Sequence, residues 1–293
     1  MMQLARRRFP IALAAFIENC RGQTYDAFHS PEDVEIGGYT GDAMEPFLTR
    51  DGRFLLFNNS NSASVDTNLQ WAERVTDLKF NYRGEIAGVN STALDGVPSL
   101  DHDGNLYFVS SRSYPQTRST VYRSHFDNGS GSAPELVEGV SRATPGWVNF
   151  DAEISADGST LYFVDGYFGT AAFPQTAALV AAVRSGDTFQ RVSADPFANI
   201  NSDALQYAPS LTPDQLELFF TRVARIEASA EPAIYRSIRK RITDPFAAAQ
   251  RIAAIQGFAE AATISPDAGS LYYHARVNGT FRIRRVTRAR RAA

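Results

Sequence analysis

A turn-forming aspartate returns five times along this chain, at positions 51, 103, 157, 214 and 267, with spacings of 52, 54, 57 and 53 residues. A repeat of that size is one supersecondary unit that cannot bury its own apolar face and must stack on its neighbours. The first copy reads Glu45-Pro46-Phe47-Leu48-Thr49-Arg50-Asp51-Gly52, followed by Phe54-Leu55-Leu56-Phe57. The second pairs Val97-Pro98-Ser99-Leu100 with Leu106-Tyr107-Phe108 across Asp103-Gly104, and the third pairs residues 151–154 with Leu161-Tyr162-Phe163 across Asp157-Gly158. The fourth and fifth follow the same plan around Asp214 and Asp267, but Gln215 and Ala268 stand where the turn glycine is expected. Asp-Gly suits a tight hairpin, because glycine accepts positive φ and aspartate can bond its own backbone. Wider turns are therefore expected in the last two copies.

Each hairpin is followed by a third strand-like run, over residues 68–74, 120–124, 178–183, 233–237 and 281–286. A short fourth element then leads into the next copy, as at residues 80–86 and 246–252. Four strands per repeat make a propeller blade, so the expected fold is all-β, a five-bladed β-propeller of four-stranded blades. The last copy stops after its third strand. Residues 28–36 resemble the fourth elements elsewhere and can supply the missing outer strand, with residues 34–36 beside residues 281–286. Such closure removes the exposed edges of an open array.

The repeat, in the form Pro209-Ser210-Leu211-Thr212-Pro213-Asp214 followed by Leu218-Phe219-Phe220, resembles the TolB-type, or PD40, WD40-like propeller repeat over roughly residues 42–288. The resemblance implies the propeller fold and leaves the role open, since one fold hosts scaffolds, ligand binders and enzymes.

The propeller is expected over residues 25–293, with residues 1–24 as an appended segment. There Arg6-Arg7-Arg8 precede an apolar stretch from Phe9 to Ile17, in the order of an export signal. Pro10 and the absence of a small-x-small cleavage site favour a plain helix instead, and with it a cytoplasmic chain over an exported one. The net charge of −3 gives no general attraction to nucleic acid or anionic membrane. The single cysteine, Cys20, excludes an internal disulfide. No apolar run has the length of a membrane span. The arginines at 282, 284, 285, 288, 290 and 291 alternate along a strand and its tail, which is the pattern of a solvated face.

In a propeller the loops leading into the first strands and those leaving the second strands share one face, opposite the Asp-Gly turns. The lead-ins place Asp95, Trp147, Asp151, Tyr207 and Glu260 on that face, together with Glu45, which shares with Asp151 the register six residues before a turn aspartate. The second-strand ends add Asn59, Arg112, Asp165, Arg222, His274 and Arg276. This channel mouth, with Trp147 or Tyr207 in its wall, is expected to hold the principal pocket, because a concave site with convergent polar groups is the usual ligand site.

Two functions fit these residues. The main expectation is a TolB-like binding propeller that takes a small molecule, a glycan or a protein segment at its mouth. The alternative is a glycan-processing hydrolase or lyase with Glu45, Asp151 and Glu260 as catalytic carboxylates, one donating a proton and another acting as nucleophile or base. The four histidines are dispersed, so no histidine metal site is expected. No cofactor is implied, although channel carboxylates and carbonyls are the hard oxygen ligands that Ca²⁺ takes.

Overall fold

The computed structural model describes residues 25–62, 64–171, 173–223 and 231–291. The residues of the expected signal or helix, and Cys20 with them, lie outside that set. The described chain forms five sheets around a central channel, each an antiparallel set of strands built outward from an inner strand. Blade 1 runs Met44–Leu48, Phe54–Asn58, Leu69–Thr76 and Lys79–Glu85. Blade 2 runs Asp95–Leu100, Asn105–Ser110 and Val121–Asp127, with two short outer pieces, Ser130–Gly131 and Glu135–Leu136. Blade 3 runs Trp147–Ile154, Thr160–Tyr167, Thr176–Ser185 and Thr188–Arg191. Blade 4 runs Leu205–Leu211, Glu217–Val223, Ala233–Ile238 and Gln250–Arg251. Blade 5 takes Ala259–Ile264, Ser270–Val277 and Thr280–Thr287 from the end of the chain and His29–Asp33 from its beginning.

Ring closure is therefore real, but its register differs from expectation. His29–Asp33 lies along Thr280–Thr287, with His29 opposite Thr287 and Asp33 opposite Arg284; Val34 still bonds the Ile283 carbonyl at 3.0 Å, but residues 35 and 36 do not continue the strand. The chain then crosses to blade 1, where Glu35–Gly37 adds a parallel strand beside Lys79–Glu85. Charge explains the register. Glu32 and Asp33 meet Arg285 and Arg284 at 2.7 Å each, while Phe28 enters the apolar core with Phe219 and Leu271.

The second strands are the buried layer; Phe54–Asn58 is buried at all five positions. The turns explain the repeat. In four blades a Ser or Thr hydroxyl donates to the turn aspartate, as Thr49 to Asp51 and Ser265 to Asp267, and the same carboxylate accepts the amide two residues on. Gln215 and Ala268 hold φ of +58° and make the same amide-to-carbonyl bond as Gly52 and Gly158. The turns of blades 4 and 5 are thus no wider than the others. Gln215 keeps its place through its side chain, whose Oε1 accepts the buried Tyr162 hydroxyl at 2.7 Å.

Arginines that the repeat did not announce tie blade to blade. Arg184 and Arg239 each bond a carbonyl of their own turn, and each reaches a tyrosine of the preceding blade, Tyr107 and Tyr162. Arg288 does the same toward the buried Glu217, at 2.6 and 2.7 Å.

Every inner strand carries one bulge, and the bulged residue has a left-handed backbone: Glu45, Val97, Asp151, Ala208 and Ala261, with φ between 50° and 58°. The inner strand has no neighbour on its channel side, so Pro46, Pro98 and Pro209 can follow the bulge without losing a ladder bond. An L-residue in this conformation costs about 1–2 kcal/mol. Val97, Ala208 and Ala261 have it too, so the strain belongs to the hub of the ring. What distinguishes Glu45 and Asp151 is the carboxylate mounted on it.

Candidate active site

The five bulges surround a chamber of about 30 Å³ in the channel, lined by Glu45, Asp151, Glu153, Phe47 and the smaller residues beside the bulges. That is space for about one water molecule, so a sugar ring must be bound above the chamber and not inside it.

The bulges turn backbone amides toward neighbouring blades, and side chains receive them. Asn58 Oδ1 accepts the Val97 amide at 3.0 Å, Thr221 Oγ1 the Ala261 amide at 3.0 Å, and His274 Nδ1 the Glu45 amide at 3.2 Å. These three acceptors sit seven residues after their turn aspartates, so the sequence carries the signal as a polar residue at a fixed offset from the turn. In blade 3 the cross-strand position nearest this register is Val164, which has no acceptor, and Asp151 Oδ2 takes the Ala208 amide instead, at 2.9 Å. One oxygen of Asp151 therefore does structural work.

Glu45, Asp151 and Glu260 come together at this end of the channel. Glu45 Oε1 accepts the Asn61 side-chain amide at 2.6 Å, a contact from a loop that sequence reasoning missed. Glu260 accepts the Tyr207 hydroxyl on Oε1 and faces His274 Nε2 at 3.1 Å on Oε2. Burial pushes the Glu45 carboxyl up to about 8, helped by the negative charge of Asp151 and Glu260 and opposed by His274 and the Asn61 bond. Burial likewise pushes Asp151 up to about 7, against the Ala208 amide and with Glu260 adding repulsion. The Tyr207 phenol is driven well above 10 by burial first and then by Glu260.

His274 is completely buried. Burial opposes its protonation, while the bond to Glu260 and the field of Glu45 raise its pKa by more. The Glu45 amide settles the resting tautomer. It donates to Nδ1, so in this arrangement the neutral form of the ring carries its proton on Nε2, directed at Glu260. Protonation at Nδ1 would set two N–H groups face to face.

Most of the remaining candidate residues are held by partners of their own. Asp95 is buried against Arg112 at 2.5 Å. Asp165 is buried under Arg142, at 2.7 Å, and Arg191. Arg222 stacks on Phe220 and Tyr235 and donates to the Ile200 carbonyl. Asn59 organises its own loop through Asp66 and Asn68. Trp147 lies under the Arg142 guanidinium, 4.3 Å from the ring centre, and against Tyr167. Arg276 is exposed.

This pairing corrects one expectation. A cleft of about 830 Å³, far larger than the chamber between the bulges, opens on the turn face between blades 4 and 5, between Asp214, Glu217, Arg239 and Asp267. Opposite charges and aromatic packing fill much of the mouth, and neither Trp147 nor Tyr207 lines the large cleft. Among the described residues no three His, Cys, Asp or Glu side chains form a metal-holding group, and no helix is long and apolar enough to cross a membrane.

Fold and site together define a five-bladed propeller with ionisable groups gathered at one end of its channel. No protein-family model matches the chain, and no curated protein is similar to it in sequence. Among solved structures, it is similar to the catalytic domain of the GH62 α-L-arabinofuranosidase of Coprinopsis cinerea, with 11% identity and a TM-score of 0.57, over 92% of this chain and 99% of that one. It is also similar to the arabinanase Arb43A of Bacillus subtilis, with 15% identity and a TM-score of 0.59, over 89% and 97%. The endo-arabinase of Bacteroides thetaiotaomicron gives 13% and 0.56, over 87% and 96%. At these identities the likeness establishes the five-bladed ring.

The expectation of a TolB-like binding propeller is overturned here. The three solved structures named above, each matched over 96% or more of its length, carry the names of glycoside hydrolases and not of a binding propeller. The physical reason lies in the motif. The residues that carry the resemblance cap turns and fill second strands, so they specify a blade and say nothing about the mouth.

Proposed function

We propose that this propeller hydrolyses glycosidic bonds at its channel mouth, with Glu45, Asp151 and Glu260 as its carboxylates. One observation carries the reading: three carboxyl groups from three blades lie within electrostatic reach, and burial raises two of them to about 8 and about 7. At neutral pH such a set holds a proton on a carboxylic acid, which glycoside hydrolysis requires beside an ionised partner. Glu45 is the proton donor in this reading. Its proton passes to the glycosidic oxygen as the carbon–oxygen bond breaks. The ionised partner attacks the anomeric carbon directly or takes a proton from the water that does. One water is consumed, and its proton replaces the one Glu45 lost.

The similar structures are named as arabinanases and an α-L-arabinofuranosidase, so arabinan and a simple α-L-arabinofuranoside are the first substrates to offer. Wild type is expected to release reducing sugar, with a rate that falls as pH rises through about 8 and Glu45 ionises. Glu45→Gln and Glu260→Gln should each lower the rate by about 100-fold or more, the usual size of general acid–base catalysis. Asp151→Asn should also lower it. If wild type cleaves no glycan, or these variants cleave as fast as wild type, the reading is wrong.

A further inference from the structure

The three carboxylates of the mouth are not held alike. Glu45 and Asp151 are buried, and among the described residues each side chain has one hydrogen-bond donor, the Asn61 amide and the Ala208 backbone amide. Glu260 is more open, its side chain 15% exposed, and each of its oxygens has a donor of its own. Tyr207 approaches Oε1 from the inner strand of blade 4, and His274 approaches Oε2 from the second strand of blade 5.

Neither donor is placed to turn away. The Tyr207 ring packs on Phe150 at 6.5 Å between centroids. The imidazole lies between Phe258 and Phe281, at 6.4 and 5.6 Å, and its far nitrogen is taken by the Glu45 amide. That amide bond makes the arrangement reciprocal. The ring that directs a proton at Glu260 also holds the left-handed bulge on which Glu45 is mounted.

We propose that Tyr207 and His274 are positioning residues that cradle Glu260 as the ionised carboxylate of the site, opposite Glu45 as the proton carrier. The proposal rests on the hydrolytic reading for its chemistry and on the hydrogen bonds for its geometry. Donors aimed at both oxygens favour the charged form of a carboxyl group. The ionisable groups facing Glu260 are Tyr207 from blade 4, His274 beside it in blade 5, Glu45 from blade 1 and Asp151 from blade 3. Under this assignment Glu260 receives the proton or forms the bond to the sugar, and Glu45 supplies the proton to the leaving oxygen.

The test reads Glu260 directly. Glutamate carboxyl carbons are labelled with ¹³C in the full chain, the Glu260 resonance is assigned by its loss in Glu260→Gln, and its titration is followed by NMR. Removing one donor in Tyr207→Phe should move the Glu260 midpoint upward by about one pH unit, a tenfold change in its proton affinity. His274→Leu should move it in the same direction. His274→Gln, whose amide can both donate to Glu260 and accept from Glu45, should restore most of the wild-type midpoint. In the rate profile on arabinan, the acid limb should move with the NMR midpoint. An unchanged midpoint in a folded Tyr207→Phe protein and in His274→Leu overturns the cradle. If the midpoint moves but wild type cleaves no glycan, the cradle stands and the hydrolytic reading alone is lost.

Discussion

Glu45 shows how a single carboxyl group sets chemistry against stability. Unfolded, it gives up its proton near the ordinary value of 4.5; folded, it keeps it up to about 8. Between those pH values the native state binds the extra proton, so stability falls as pH rises through the window. Glu45→Gln removes the charge at every pH, and its amide oxygen can still accept from Asn61. The variant should melt with wild type near pH 4 and above it at pH 8, by roughly 1–2 °C for each kcal/mol relieved. Thermal melts at the two pH values check this, and an equal offset at both would show that Glu45 is not protonated in the native state at neutral pH. Asp151→Asn should gain less, because its side chain must go on accepting the Ala208 amide.

At the scale of the element, the Asp turns were legible and the hub was not. A turn is local: Thr212, Asp214 and the amide of Leu216 lie within five residues, so their chemistry shows in the string. The bond from Glu45 to His274 spans 229 residues, and no local pattern contains both partners. The missing glycines fall between these cases. Ala268→Gly removes a small buried methyl and relieves a left-handed backbone, so the two effects nearly cancel, within about 0.5 kcal/mol. Gln215→Gly relieves the same backbone but deprives the Tyr162 hydroxyl of its acceptor. It should therefore be the less stable of the two by roughly 1 kcal/mol, the size of a buried hydrogen bond. Denaturant melts of both variants measure the difference; the opposite order would mean that strain, and not the amide, governs the turn.

For the whole molecule the decisive element is the strand that joins the two ends of the described chain. Its existence could be read from the count, because five inner hairpins came with one outer strand too few. Its register could not, because it depends on Glu32 and Asp33 finding Arg285 and Arg284 some 250 positions away. A chain beginning at residue 25 keeps every contact described here. A chain beginning at residue 39 loses the strand beside Thr280–Thr287, the two ion pairs, the parallel strand on blade 1, and Phe28 from the core between blades 4 and 5. It also leaves the hydrogen-bonding edge of blade 5 open, and an open edge invites pairing with another chain. Replacing a buried Phe by Ala alone costs about 3–5 kcal/mol. The shorter chain should melt well below the longer one and should self-associate at concentrations where the longer one does not. Melting curves with light scattering on the two truncations decide the point. Equal midpoints and equal scattering would mean that the four remaining blades and three strands of the fifth hold the ring without a closing strand.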